Sequence, residues 1–192
     1  KHIAIVGEAS YNWVTSYYAT MSIGAVTVPI DKELPAEDIR SIIESAECDF
    51  VIYSSVIDSK IKTIMDTLSI NPKFICMSKK TEIDNVTMLA DIVLRGEKLV
   101  DDGDNSYYDY NLDPDKLASI VFTSGTTGMT KGVMLSNINL CSDFTAVSQH
   151  IKIYEGDLSM STLPMHHTYE LIAFLMVIDS GAAISFSQGI RT

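Results

Sequence analysis

Short, continuous apolar runs alternate with longer stretches whose apolar residues recur every three or four positions, and this holds from residue 2 to residue 78. HIAIVG (2–7), VTVPI (26–30), DFVIYS (49–54) and KFICMS (73–78) are the short runs. Between them, Val14, Tyr17, Tyr18 and Met21 stripe residues 10–25, with Ser10 placed to cap the helix. Ile39, Ile42, Ile43 and Ala46 stripe residues 34–47, behind Pro35 and a first turn carrying acids. Ile57, Ile61, Ile64, Met65 and Leu68 stripe the next stretch. Strands that are apolar throughout, with no polar alternation, are buried on both faces. The expected fold is therefore α/β: a layered, mostly parallel sheet with helices on both faces. At 192 residues the chain fits one domain or slightly more, on a prior of about 150 residues per domain.

Charge narrows the partners. The formal net charge of -11 disfavours nucleic acid and anionic membrane surfaces, both of which call for clustered Lys and Arg. An anionic ligand would have to be held by a local device. Cys48, Cys76 and Cys141 match no disulfide framework or zinc spacing. They are expected to be reduced, buried thiols in a cytoplasmic protein. No run reaches the roughly 18 apolar residues of a transmembrane segment; LIAFLMVI (171–178) reads as part of a core helix over 169–180. Residues 99–116 carry six Asp and read as a surface loop. They lack the Gly and Glu that a calcium loop would place at its sixth and twelfth positions.

FTSGTTGMTKGVMLSN (122–137) holds the local device. LASIVF (117–122) reads as a buried strand and VMLS (133–136) as a second. A helix marked by Leu140, Phe144, Val147 and Ile151 follows, capped by Ser136 or Asn137. Gly125, Gly128 and Gly132 permit backbone angles closed to other residues, so N–H groups can converge on an anion. Thr123, Ser124, Thr126 and Thr127 add hydroxyls, and Lys131 adds a cation. The segment reads as a polyphosphate-binding loop. It is not the G-x-x-x-x-G-K-[ST] loop, since Thr130 stands at the second Gly position and Gly132 at the Ser/Thr position.

TSGTTGMTKG (123–132) resembles the phosphate-loop signature of the adenylate-forming superfamily of acyl-CoA synthetases, luciferases and peptide-synthetase adenylation domains. Thr130 departs from it, standing where the family usually has Pro. Residues 3–54, with GAVTVPI (24–30), are similar to the family's early region, and LPMHHTYE (163–170) to its next motif, which places the motif His at His167. The resemblance implies an N-terminal AMP-binding part over 1–192, with a C-terminal domain lying outside it. It also implies an ATP-dependent acid–thiol ligase, with ATP, Mg²⁺ and coenzyme A as cofactor and co-substrates. A carboxylate attacks the α-phosphorus of ATP, and a thiol then displaces AMP from the acyl adenylate. Glu170 is the residue that long-chain acyl-CoA synthetases tend to carry there.

The same resemblance assigns the site. Thr123, Ser124, Gly125, Thr126, Thr127, Gly128, Lys131 and Gly132 would hold the phosphates, with Thr123 also toward Mg²⁺. His167 and Lys131 would be catalytic, and His166 and Tyr169 substrate-binding. Two other readings stay open: a non-catalytic nucleotide-binding or interaction domain, and an adenylation domain that loads a carrier protein.

Overall fold

A computed structural model describes residues 1–124 and 130–187, apart from the side chains of 124 and 130. Seven strands form one sheet: β1 (His2–Val6), β2 (Val26–Ile30), β3 (Phe50–Tyr53), β4 (Lys73–Cys76), β5 (Thr87–Met88), β6 (Leu117–Ser124) and β7 (Thr130–Ser136). Their spatial order is β5-β4-β3-β1-β2-β6-β7. All neighbours are parallel except the β6–β7 hairpin, which is antiparallel. Two further strands, β8 (Leu158–Ser161) and β9 (Ala183–Phe186), pair in parallel as a separate ribbon.

Six helices connect the strands: α1 (Tyr11–Ser22), α2 (Ala36–Ser45), α3 (Asp58–Thr67), α4 (Leu89–Asp101), α5 (Asn137–Ser148) and α6 (Thr168–Asp179). Successive strand residues face opposite sides, so the sheet feeds two cores. Ala4 and Val6 of β1, with Val51 and Tyr53 of β3, pack on Ile39, Ile42 and Ile43 of α2 and Ile61 and Ile64 of α3. Ile5 and Ile52 turn the other way, onto Trp13, Val14, Tyr17 and Met21 of α1, Leu140 of α5 and Leu171 and Phe174 of α6. Helices cover both faces, as the unbroken apolar runs require.

Local chemistry sets several boundaries. The Ser10 hydroxyl accepts the Trp13 N–H and starts α1. Ser136 and Asn139 form a reciprocal capping box that starts α5. Gly24, at φ +70°, turns the chain from α1 into β2. Ser55–Ile57 adds a 3₁₀ turn ahead of α3.

The structure corrects three sequence expectations. The loop expected over 99–116 starts later, because α4 runs to Asp101. Cys48 and Cys76 are buried but Cys141 is exposed, on the outer side of α5. Ile151 lies beyond α5, which ends at Ser148.

Candidate active site

The hairpin β6–β7 flanks the segment expected to bind phosphate. Thr123 pairs with Lys131 and Phe122 with Gly132, one and two steps from the end of the ladder, where Ser124 pairs with Thr130. Thr123 and Lys131 are exposed, and among the described residues none pairs with the Lys131 ammonium. Gly125, Thr126, Thr127 and Gly128 lie outside the described residues, as do the Ser124 and Thr130 side chains. Gly132 plays a different part from the one its backbone freedom suggests. It sits in an extended strand, and a Cβ there would come within 2.9 Å of Ile120 Cγ2 and 3.3 Å of the Phe122 ring. Its lack of a side chain lets β6 close over β7 at the root of the loop.

The histidines stand at the start of α6. His167 is the N-cap residue, with extended backbone and no side-chain cap bond. Its N–H donates to the Pro164 carbonyl at 3.1 Å, closing a tight turn, and its carbonyl accepts the Glu170 N–H at 3.1 Å. The His166 and His167 rings lie 4.5 Å apart, tilted by 37°. Tyr169 is 67% exposed, whereas Glu170 is 6% exposed. No hydrogen bond, ion pair or ring contact joins the histidines to Thr123 or Lys131 among the described residues.

His166 reaches a cavity of about 720 Å³ at the carboxyl ends of β1 and β2. Its lining includes Glu8, Tyr11, Asp31, Leu163, Met165 and Phe186, mixing apolar walls with carboxylates. The cavity adjoins a reversal in the winding of the sheet, and Val56, after β3, is among its lining residues. From β1 the chain winds to β2 on one side, and from β3 to β4 on the other. The crevice beyond the carboxyl ends of β1 and β3 is thus a switch point, where open α/β sheets take ligands. Gly7 keeps this crevice narrow, since a Cβ there would meet Ser54 Cβ at 2.9 Å.

Asp31, directly after β2, faces His166 with Oδ2 3.8 Å from Nε2. Burial pushes the His166 pKa down; Asp31 opposes that shift, and His167 adds to it. The sequence reading missed Asp31 and Glu8 as cavity residues. The available signal was position: each directly follows an apolar run or its terminal glycine, where parallel strands deliver their functional residues.

Comparison with known proteins gives the class. The model of the family described as AMP-binding enzyme matches residues 1–192, and the chain belongs to that family. Among curated relatives, fatty acyl-CoA synthetase B of Dictyostelium discoideum is 46% identical over 76 residues, covering 40% of this chain and 11% of that protein. Long-chain-fatty-acid--CoA ligase 1 of Cavia porcellus is 28% identical over 206 residues, covering 98% of this chain and 28% of that protein. The chain therefore spans less than a third of the length of these relatives. Among solved structures, a red-emitting luciferase from Phrixothrix hirtus superposes at TM-score 0.85 with 18% identity, over 100% of this chain and 37% of that one. ATP-bound MatB from Rhodopseudomonas palustris superposes at 0.76 with 23% identity, over 100% and 36% respectively. These likenesses establish the fold of the N-terminal part of adenylate-forming enzymes.

Proposed function

We propose that the chain is the phosphate-loop part of an ATP-dependent ligase that activates a fatty acid as its acyl adenylate and passes the acyl group to coenzyme A. The carrying observation is the hairpin register, which sets Thr123 opposite Lys131, exposed and without a partner among the described residues. That combination fits the β- and γ-phosphates of ATP, with Gly125 to Gly128 supplying backbone N–H groups. Bound Mg²⁺ would neutralise charge on the leaving pyrophosphate. Thr123 is the one hydroxyl assigned to it here, and no cluster of three acidic, His or Cys ligands occurs among the described residues.

Each side chain has a separate task. Lys131 stabilises the pyrophosphate as the P–O bond breaks. His167 orients the attacking carboxylate or stabilises charge developing at the α-phosphate. His166, on the cavity wall, lines the path of the acyl group, and Tyr169 bounds the site from the solvent side. Coenzyme A is favoured over a carrier protein by the relatives that carry acyl-CoA synthetase names, although one relative is named a long-chain-fatty-acid--[acyl-carrier-protein] ligase. No helix among the described residues is long and apolar enough to cross a membrane. A cytoplasmic location is proposed, beside relatives whose names place them in peroxisomes and chloroplasts.

The test is acid-dependent pyrophosphate exchange by the complete protein across acetate, medium-chain, long-chain and aromatic acids. Exchange is expected to be greatest with long-chain acids. His167→Ala should cost about 1.5–3 kcal/mol of transition-state stabilisation, mostly in kcat. Lys131→Ala should mainly raise KM for ATP. Unchanged kinetics in both variants would remove the site assignment.

A further inference from the structure

We infer that Asp31 and His166 are positioning residues that set the orientation of His167 across the cleft between β2 and α6. The inference rests on the role proposed above for His167.

The two walls of the cleft are fixed independently. On one, Asp31 Oδ1 accepts the Glu33 N–H at 2.9 Å, which turns Oδ2 toward His166. Lys60 of α3 donates to the Lys32 carbonyl at 2.7 Å and to the Leu34 carbonyl at 2.9 Å, tying the same loop down. On the other, Met165 is 3% exposed, and the Ser161 hydroxyl donates to its sulfur at 3.6 Å. The Pro164 carbonyl holds the His167 N–H. The His166 imidazole spans the gap between these anchored walls, with a carboxylate at one side and the His167 ring at the other.

His167 needs such a support. Its side chain makes no cap bond, and among the described residues its ring contact is with His166. The groups facing His166 are Asp31, His167 and, around the cavity, Glu8, Lys32 and Glu33. Lys32 and Glu33 pair with each other, and among the described residues Asp31 is the carboxylate within 4 Å of the His166 ring. Burial pushes the His166 pKa down, so His167 has a neutral ring beside it near pH 7. At 3.8 Å the Asp31 contact is longer than a hydrogen bond, and closing it during turnover would draw the imidazole pair toward β2.

The experiment uses the complete protein with ATP, Mg²⁺ and a long-chain acid, and measures pyrophosphate exchange for Asp31→Ala, Asp31→Asn, His167→Ala and the Asp31→Ala/His167→Ala double variant. Asp31→Ala should lower kcat about tenfold with KM for ATP unchanged, in the range that misplacing a reacting group costs. Asp31→Asn, which keeps an oxygen acceptor, should recover most of that loss. In the His167→Ala background, Asp31→Ala should have no further effect, because it acts through the missing imidazole. By NMR, the His166 titration in Asp31→Asn should move to lower pH. Additive losses in the double variant, full kcat in Asp31→Ala, or an unmoved His166 titration would each overturn the inference. Loss in His167→Ala with none in Asp31→Ala overturns this inference alone, whereas full activity of His167→Ala overturns the proposed site as well.

Discussion

The sheet over residues 2–88 and the segment 117–187 are built to different standards of closure. Every residue of β2 is buried, and Ala4, Ile5 and Val6 of β1 are fully inaccessible. In the later segment β8 leaves Leu158 at 73% and Met160 at 65% exposed, and β7 leaves Met134 at 66%. Parallel strands normally lie between two covering layers, and β8–β9 is a two-stranded parallel ribbon. The first region is covered on both faces, one of them partly by Leu140 of α5 and Leu171 and Phe174 of α6, whereas the second carries the candidate site beside β7 and β8, which leave large apolar side chains exposed. Chemistry thus sits on the less closed part, anchored at its root by contacts such as Tyr18 Oη to the Leu171 carbonyl at 2.8 Å.

Stability measurements can break this contrast. Trp13 is 1% exposed and stacks on Tyr17 with ring centroids 5.5 Å apart. Trp13→Ala should cost about 3–5 kcal/mol in urea unfolding, while Leu158→Ala should stay within about 0.5 kcal/mol. Equal effects would end the distinction. Next in size, Gly7→Ala forces a Cβ against Ser54 in the switch-point crevice. It should destabilise by about 1–3 kcal/mol, as overpacking does, visible as a lower unfolding midpoint.

Helix capping separates structure from chemistry inside the second region. Ser136→Ala removes a capping-box hydroxyl and should cost about 1 kcal/mol. His167 makes no cap bond, so His167→Ala should leave the thermal midpoint nearly unchanged while slowing adenylate formation. A large stability loss at His167 would recast it as a structural residue.

Two smaller effects sharpen the comparison. Burial pushes the Cys48 thiol up to about 12, whereas Cys141 is exposed on α5. A maleimide at pH 8 should therefore label Cys141 and spare Cys48 in the native protein. The smallest effect concerns Glu44, whose Oε1 accepts the Ser69 N–H at 2.7 Å and the Ser69 hydroxyl at 2.9 Å. Those bonds, with Arg40 beside it, hold its pKa below the usual carboxylate range. A depressed folded-state pKa contributes stability above the unfolded value of about 4.3. That contribution is lost as pH falls through the folded value. The midpoint difference between wild type and Glu44→Gln should therefore be present at pH 7 and vanish in acid.

The contrast between the regions also tracks what could be read without a structure. β1 to β4 were legible because burial on both faces forces an unbroken apolar run, and α2 and α3 because a single covered face forces a stripe. Met65 belongs to that stripe yet is 38% exposed, at the edge of the covered face. α4 went unseen because little of it is covered: Leu89 and Ile92 pack on the core only partly buried, while Val93, Leu94, Leu99 and Val100 are exposed. β5 is two residues long, and β8 and β9 leave half of their positions exposed, so neither carries the unbroken apolar run that marked β3 and β4.

By itself, the sequence determined the α/β class, the two strands that flank the expected phosphate loop, and the types of residue available there, because these depend on local period and on side-chain chemistry. Tertiary structure alone decided that Asp31 meets His166 from 135 positions away, that Gly132 is small for the sake of Ile120 and Phe122, and that a cavity opens at the carboxyl ends of β1 and β2. The physical reason is that such contacts arise from strand order and register, which pack distant segments together and leave no periodic mark on either one.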